Sequence, residues 1–422
     1  MPAQSRRLVP ACQAQRIKDD LETLSTYRDP SVPGWTRRAF SAAGVEGRNW
    51  VEEQMKLTGL IVSRDAANNL IGTLPGKGST KKAIAVGSHT DTVNGGGRFD
   101  GMVGVLAALE IVRSFRDTGI ELQHELRVID FFNEEPNSYG ISCVGSRAIA
   151  GTLTQDHLNL RNPEGQSLAE GLEDVGGDPN GALKCQWTQH ELSAFLELHI
   201  EQGPALEKSN LPLALVTAIA GIYRGHVQLD GQADHAGATP MGDRRDALCA
   251  AAEIILDVER LASDGNGVGT AGKIASEPGA ANIVPASSEV WIEFRSSSNE
   301  WLESRRVKLE ASMEEMSKRR DIDASIRWLS NVAPVPASEA VQATIAKAIE
   351  QHGHRYTHMF SGAGHDAAHM AQIAPMGMIF VPSHEGRSHT PEEWTDYEQI
   401  AVGARMLAQT LVNIDVLEEV QR

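Results

Sequence analysis

Residue types that bind metal ions recur in this chain wherever an apolar run gives way to polar residues. GSHTDT carries His89 and Asp91, and NGGGRFDG soon afterwards delivers Asp100. VIDFFNEE ends in Asn133, Glu134 and Glu135, and LELHIEQ ends in His199, Glu201 and Gln202. Much later, VPSHEGRSHTPEEW supplies His384 and His389. Imidazole selects zinc-like borderline metals over calcium or magnesium, and a carboxylate can bridge two cations. One imidazole with carboxylates per strand end is how a two-metal site is assembled from distant sequence. Adjacent glutamates on an extended chain diverge in direction, so one of Glu134 and Glu135 can ligate while the other stays free as a general base. Residues two apart on such a chain face one side, which lets Asp91 orient the His89 ring. The VIDFF run is apolar enough to be interior, where two unpaired carboxylates would be costly without a cation. A lone histidine at a strand end is more often solvated or hydrogen-bonded, and His124, His157 and His190 read that way. Each motif alone occurs often by chance; the whole set at successive strand ends does not.

A scaffold must bring these strand ends together. Residues 81–90, 124–132 and 194–200 read as strands, and Met102, Val105, Leu109 and Val112 step through 101–115 as a helix packed along one face. Strands separated by helices argue for an α/β sheet with helices on both faces, in which ligands sit at the carboxyl ends of the strands. From 214 the texture changes. Extended chain turns at Gly221 and Gly231, a helix covers 246–263, extended runs follow at 269–276 and 281–297, and a helix at 299–320 precedes a strand at 322–330. This describes a small α+β unit inserted in the larger one. The expected division is 1–213 and 331–422 for the catalytic domain, with 214–330 as the insert, and a C-terminal helix at 396–418.

Composition narrows the function classes. Asp plus Glu number 56 against 39 Lys plus Arg, a formal charge of −17, and there is no run of five or more Lys/Arg to offer a basic patch. Nucleic acid and anionic membrane surfaces are therefore not expected partners. No stretch approaches 18 consecutive apolar residues, so no membrane span is expected. Four cysteines without CxxC spacing and a start without an apolar signal core suggest a reducing, cytoplasmic setting. A GxGxxG phosphate loop fails because Asp100 stands where its last glycine belongs, and no GxSxG elbow exists for a serine hydrolase.

The ordered set GSHTDT, GGRFDG, NEEPN, LELHIEQGP, ADHAGATPM, ANIVP, EFRS, GAGHDA and SHTPEEW resembles the hydantoinase/carbamoylase family of binuclear zinc amidohydrolases. That family includes N-carbamoyl-L-amino-acid hydrolases, allantoate amidohydrolases and β-ureidopropionases, and is related to aminoacylases and zinc exopeptidases. The motifs run in family order over nearly the whole chain. The resemblance implies an α/β, zinc-exopeptidase-like catalytic domain with an inserted lid and dimerisation domain. It implies two divalent cations per subunit, zinc first, with manganese, cobalt or nickel as alternatives. His89 and His199 would hold one, Glu135 and His389 the other, with Asp100 bridging. Glu134 would be the general base and Asp91 the partner of His89; the SHTPEE context ranks His389 above His384. His235 would reach the site across a homodimer interface, Arg295 would grip the substrate carboxylate, and Asn282 and Gln202 would be further substrate contacts. His226 and His365 are weaker candidates.

The implied reaction is hydrolysis of the ureido or amide C–N bond of an N-carbamoyl-L-amino acid or related ureido acid. An N-acyl-amino-acid amidohydrolase or dipeptidase using the same residues is the alternative, followed by an inactive dimeric metal-binding scaffold. NEEPNSYG departs from the NEEGSRF of many relatives, and Gly386, Arg387 and Ser388 stand where other residues often precede the last ligand. Arg98 and Arg387 are expected to add positive charge for an acidic substrate.

Overall fold

A computed structural model describes residues 8–80 and 82–417. Residues 81 and 418, at the expected edges of a strand and of the C-terminal helix, lie outside the described residues. The chain divides into two compact units. One comprises the stretch to Thr217, Ala337–Met359 and the chain from Ala363 onward; the other comprises Ala218–Pro336 with Phe360–Gly362.

The first unit is built on a mixed sheet. Seven of its nine strands are β1 (Ile61–Arg64), β2 (Leu70–Leu74), β3 (Ala83–His89), β4 (Glu125–Phe131), β5 (Leu192–Ile200), β6 (Ala214–Ile219) and β7 (Met376–Val381), in the spatial order β1-β2-β4-β3-β5-β7-β6. Strands β4, β3, β5 and β7 run parallel, and antiparallel pairs flank them. Every residue of β3 and β7 is buried, as expected of central strands covered on both faces. Parallel strands put their carboxyl ends on one edge, which is where His89, the Asn133–Glu135 turn and His199 emerge.

Helices α1 (Ala14–Thr26), α2 (Ala42–Leu57), α3 (Met102–Thr118), α4 (Glu339–Gln351) and α5 (Tyr397–Asp415) cover the sheet. Leu106 and Leu109 of α3 share one apolar core with Val86 of β3, Leu198 of β5 and Leu407 of α5. The expectation of a single apolar face on α3 needs correction, because every residue from Met102 to Val112 is buried. Sheet and helices surround it, and its one interior acid, Glu110, is answered by Arg16 of α1. Ser41 caps α2 by accepting from Gly44 N, and left-handed Gly119 (φ 62°) ends α3. Helices α1 and α2, the β1–β2 hairpin and the short helices between Val144 and Ala182 had no counterpart in the sequence reading.

The second unit is a four-stranded antiparallel sheet in the order Asp323–Val332, Gly221–Asp230, Ser287–Ser296, Val268–Glu277. Burial alternates strictly along Ser287–Ser296. Val290, Ile292 and Phe294 thereby share a core with the helices Ala247–Leu261 and Asn299–Arg320. A two-residue ribbon pairs Asp234–His235 with Ile283–Val284.

Candidate active site

Four chain segments converge on Asp100. His199 Nε2 lies 3.1 Å from its Oδ1 and His89 Nε2 lies 3.9 Å from the same atom. His389 Nε2 lies 3.0 Å from Oδ2 and 3.3 Å from Glu135 Oε1. The ligand atoms of His89, Asp100 and His199 all fall within 4.8 Å of one another, as do those of Asp100, Glu135 and His389. Asp100 belongs to both groups, with one oxygen toward each. All of these residues are buried except His389.

Ring tautomers decide what the cluster can hold. The carbonyl oxygen of Ile200 accepts from His199 Nδ1 at 2.9 Å, and that of Asp91 accepts from His89 Nδ1 at 3.1 Å. A carbonyl can only accept, so each Nδ1 carries the proton and each Nε2 presents a lone pair toward carboxylate oxygens. His199 Nε2 is buried and makes no hydrogen bond despite its proximity to Asp100. Lone pair facing carboxylate is unfavourable unless a proton or a cation lies between. Burial pulls the His89 ring down, but Glu134, Asp91 and Asp100 push it well above its ordinary value. Hydrogen bonds from its ring to the Asp100 and Glu135 carboxylates push His389 up to about 11. Burial tends to raise Asp100, yet the imidazoles of His199, His389 and His89 around it hold it well below the usual carboxylate range. Positive charge is thus demanded at these atoms, and the imidazole–carboxylate donor set fits divalent zinc-like cations.

The remaining sequence candidates of this unit fall around the cluster. Asp91 accepts from Glu134 N at 3.1 Å and Glu135 N at 3.2 Å, and its Oδ1 lies 3.6 Å from His89 Nδ1. It therefore aims the two glutamates as well as the ring. Asn133, in the left-handed region at φ 55°, makes the turn that presents those N–H groups. Glu134 Oε2 is 3.6 Å from His89 Nε2, and burial pushes the carboxyl well above its usual range. Gln202 donates from Nε2 to Asp100 Oδ2 at 2.8 Å, while its Oε1 is buried without a partner. Glu201 caps the following helical turn through Ala205 N and Leu206 N, and His384 pairs with Glu207 at 2.7 Å, so neither joins the cluster.

His235, Asn282 and Arg295 belong to the second unit. His235 and Asn282 are brought together, with Ala236 N donating to Asn282 O at 3.0 Å and Gly237 N donating to His235 Nδ1 at 3.1 Å. Arg295 pairs with Glu293 and donates to Gly362 O at 2.8 Å, on the sheet face opposite Val290, Ile292 and Phe294. His226 stacks on Trp291 at 4.6 Å and pairs with Glu289, and it belongs to none of the possible metal-ligand groups among the described residues.

Sequence reasoning missed several buried groups. Glu197 forms a third possible ligand group with His199 and His365, the weaker candidate of the sequence, whose ring meets His199 edge-on at 4.5 Å. Glu197 lies two residues before His199 in LELHIEQ, a spacing that puts it on the same side of the strand. The Cys143 thiol donates to Glu134 Oε1 at 3.5 Å, a contact across a turn that no local pattern announces. Arg387 lies between Glu385 and Glu392 at 3.4 and 3.6 Å, and Arg98 packs over Trp35 and Trp394 at 4.8 and 5.3 Å. The positive charge expected of Arg387 for an acidic substrate is therefore already offset by two neighbouring acids.

Comparison with known proteins bears on the same residues. Residues 74–413 match the profile of Peptidase family M20/M25/M40. The chain is 38% identical over 400 residues to the N-carbamoyl-L-amino acid amidohydrolase of Geobacillus stearothermophilus, covering 94% of this chain and 98% of that one. It is 33% identical over 403 residues to the allantoate amidohydrolase of Bacillus subtilis, covering 94% and 97%. A crystal structure of a hydantoinase/carbamoylase family amidase from Burkholderia multivorans superposes with a TM-score of 0.90 at 30% identity, covering 96% of this chain and 99% of that one.

Proposed function

This chain belongs to peptidase family M20/M25/M40, in its hydantoinase/carbamoylase branch, and we propose that it hydrolyses the ureido C–N bond of an N-carbamoyl-L-amino acid or related ureido acid. The observation that carries this reading is the pair of Nε2 lone pairs and the two-faced Asp100 carboxylate converging on one buried site. His89, His199 and Asp100 would hold one divalent cation, and Asp100, Glu135 and His389 a second. Such cations, zinc foremost, supply Lewis-acid polarisation of the carbonyl and acidify a water.

The chain's own groups do the rest. Glu134 takes the proton of the attacking water on its carboxylate and returns it to the departing nitrogen, its neighbour Glu135 being committed to His389. Gln202 Oε1, buried and unpartnered, is available to accept from a ureido N–H. Arg295 grips the substrate carboxylate as a planar fork, which orients the carbonyl.

A homodimer completes the site in this reading. His235 and Asn282 lie beyond the Asp230/Ser287 end of the sheet, whereas Arg295 pairs with Ile222 and Val268 near the other end. Eight residues of strand at about 3.3 Å each separate the two ends by roughly 26 Å, too far for one small substrate. That separation supports a site that uses its own Arg295 and the His235 and Asn282 of the partner subunit. The strand Val268–Glu277 is an edge with exposed Val268 and Ile274, the kind of element a second copy would cover. Four unpaired cysteines accord with a reducing, cytoplasmic setting, and no described helix is long and apolar enough to cross a membrane.

A panel of N-carbamoyl-L-amino acids, allantoate, N-acyl amino acids and dipeptides, assayed for ammonia and for amine, tests the reaction. Ammonia from the ureido substrates is the expected result. Amine from acyl or dipeptide substrates without ammonia from any ureido substrate would overturn it.

A further inference from the structure

Glu393 touches no reacting atom, yet its carboxylate joins the two chain segments that carry Asp100 and His389. It is buried. Oε1 accepts from Phe99 N at 2.8 Å and Asp100 N at 3.0 Å. Oε2 accepts from Ser388 Oγ at 2.9 Å and His389 N at 3.3 Å. One side chain thus holds backbone N–H groups of two residues whose side chains approach within 3.0 Å of each other.

The surroundings are shaped for this grip. A Cβ on Gly97 would lie 2.2 Å from Glu393 Oε1, so only glycine lets the Asp100 segment close over the carboxylate. Phe99 meets Trp394 edge-on at 5.2 Å beside it, a stack that brings the two segments together on their apolar side. His389 sits in the left-handed region at φ 58°, a conformation that a histidine keeps only when its surroundings hold it. The hydrogen bond from its N–H to Glu393 is part of that hold.

We infer that Glu393 is a positioning residue that sets the spacing between Asp100 and His389 and so governs the affinity of the cation these two would share with Glu135. The inference rests on the two-cation reading above. It separates the two cations: His89 and His199 stand on β3 and at the end of β5, whereas His389 has only a turn beneath it. Loss of the clamp should therefore loosen one site and spare the other.

Glu393→Gln is close to isosteric. Its amide oxygen can still accept from Phe99 N and Asp100 N, but its NH2 group would confront His389 N–H, donor against donor. Gly97→Ala displaces the carboxylate from the opposite side without removing it. The chelator-stripped wild type and both variants are compared by far-UV circular dichroism and melting, then titrated with Zn2+ by calorimetry. The wild type should take up two equivalents. Glu393→Gln, which keeps its hold on Asp100, should keep one at wild-type affinity and bind the other at least about tenfold more weakly, as removal of a ligand's supporting partner typically does. Gly97→Ala, which also loosens the shared Asp100, should weaken the His389 site the more. Two equivalents at wild-type affinity in Glu393→Gln would overturn the inference, as would equal weakening of both in folded variants, the mark of a general structural role. Uptake of a single equivalent by the wild type would instead overturn the two-cation reading. If Glu393→Gln does not fold, Gly97→Ala carries the same comparison.

Discussion

His89 and His199 face Asp100 through Nε2 because backbone carbonyls hold their Nδ1 atoms, so the cation-seeking geometry is set by the strand ends themselves. Of the residues around them, Glu134 carries the sharpest prediction. Glu134→Gln should lower turnover by roughly 10²–10⁴-fold while metal content, measured by elemental analysis, stays at the wild-type value. Retained turnover would remove Glu134 from the base role, and lost metal would make it a ligand. Gly101 is the second test at this scale. It has φ 70°, and a Cβ there would meet the His89 ring at 2.4 Å. Gly101→Ala should displace that ring and reduce both metal content and activity, with a backbone penalty of about 1 kcal/mol in unfolding measurements. Wild-type metal content in this variant would show that the ring has room to move. The cluster residues were legible because imidazoles and carboxylates interrupt otherwise apolar strands. Cys143, Glu197 and Glu393 were not singled out, since their roles depend on contacts across turns or between strands.

Elements explain which parts of the fold could be read. Period-two burial along Ser287–Ser296 and the long polar helix Asn299–Arg320 announce themselves in the residues. Helices α1 and α2 were not read, although the buried Ile17, Leu21 and Leu24 of α1 step at four and three residues along one face. Within the second unit, Glu253 of Ala247–Leu261 pairs with Arg319 and Arg320 of the neighbouring helix, tying the two together. Hydrogen bonds from Arg319 and Arg320 hold its carboxyl below its ordinary value. A depressed folded-state value means stabilisation that is present above the unfolded carboxylate pKa of about 4.3 and lost as pH falls through the folded one. Glu253→Gln should therefore cost about 1 kcal/mol or less at neutral pH, given the partly exposed setting, and the difference from wild type should close in acid. Urea unfolding at both pH values measures this; a difference that persists in acid would assign the effect to packing instead.

At the scale of the whole molecule, the acidic surplus of 56 against 39 first served to exclude nucleic acid, and part of it proves to be the Asp91, Asp100, Glu134 and Glu135 of one buried cluster. The proposed dimer makes its own prediction. His235→Ala and Arg295→Ala should each be nearly inactive alone. Mixed and allowed to exchange subunits, they should recover about a quarter of wild-type activity, because each mixed dimer rebuilds one of its two sites. No recovery despite demonstrated exchange would place His235 and Arg295 in the same chain's site. The most direct test of the central claim is ammonia release from an N-carbamoyl-L-amino acid before metal removal, after chelation and after restoration of zinc, manganese, cobalt or nickel. Release that disappears on chelation and returns with a divalent cation is the predicted result. Ammonia release that is indifferent to metal removal, or absent from every ureido substrate in the reconstituted protein, would contradict it.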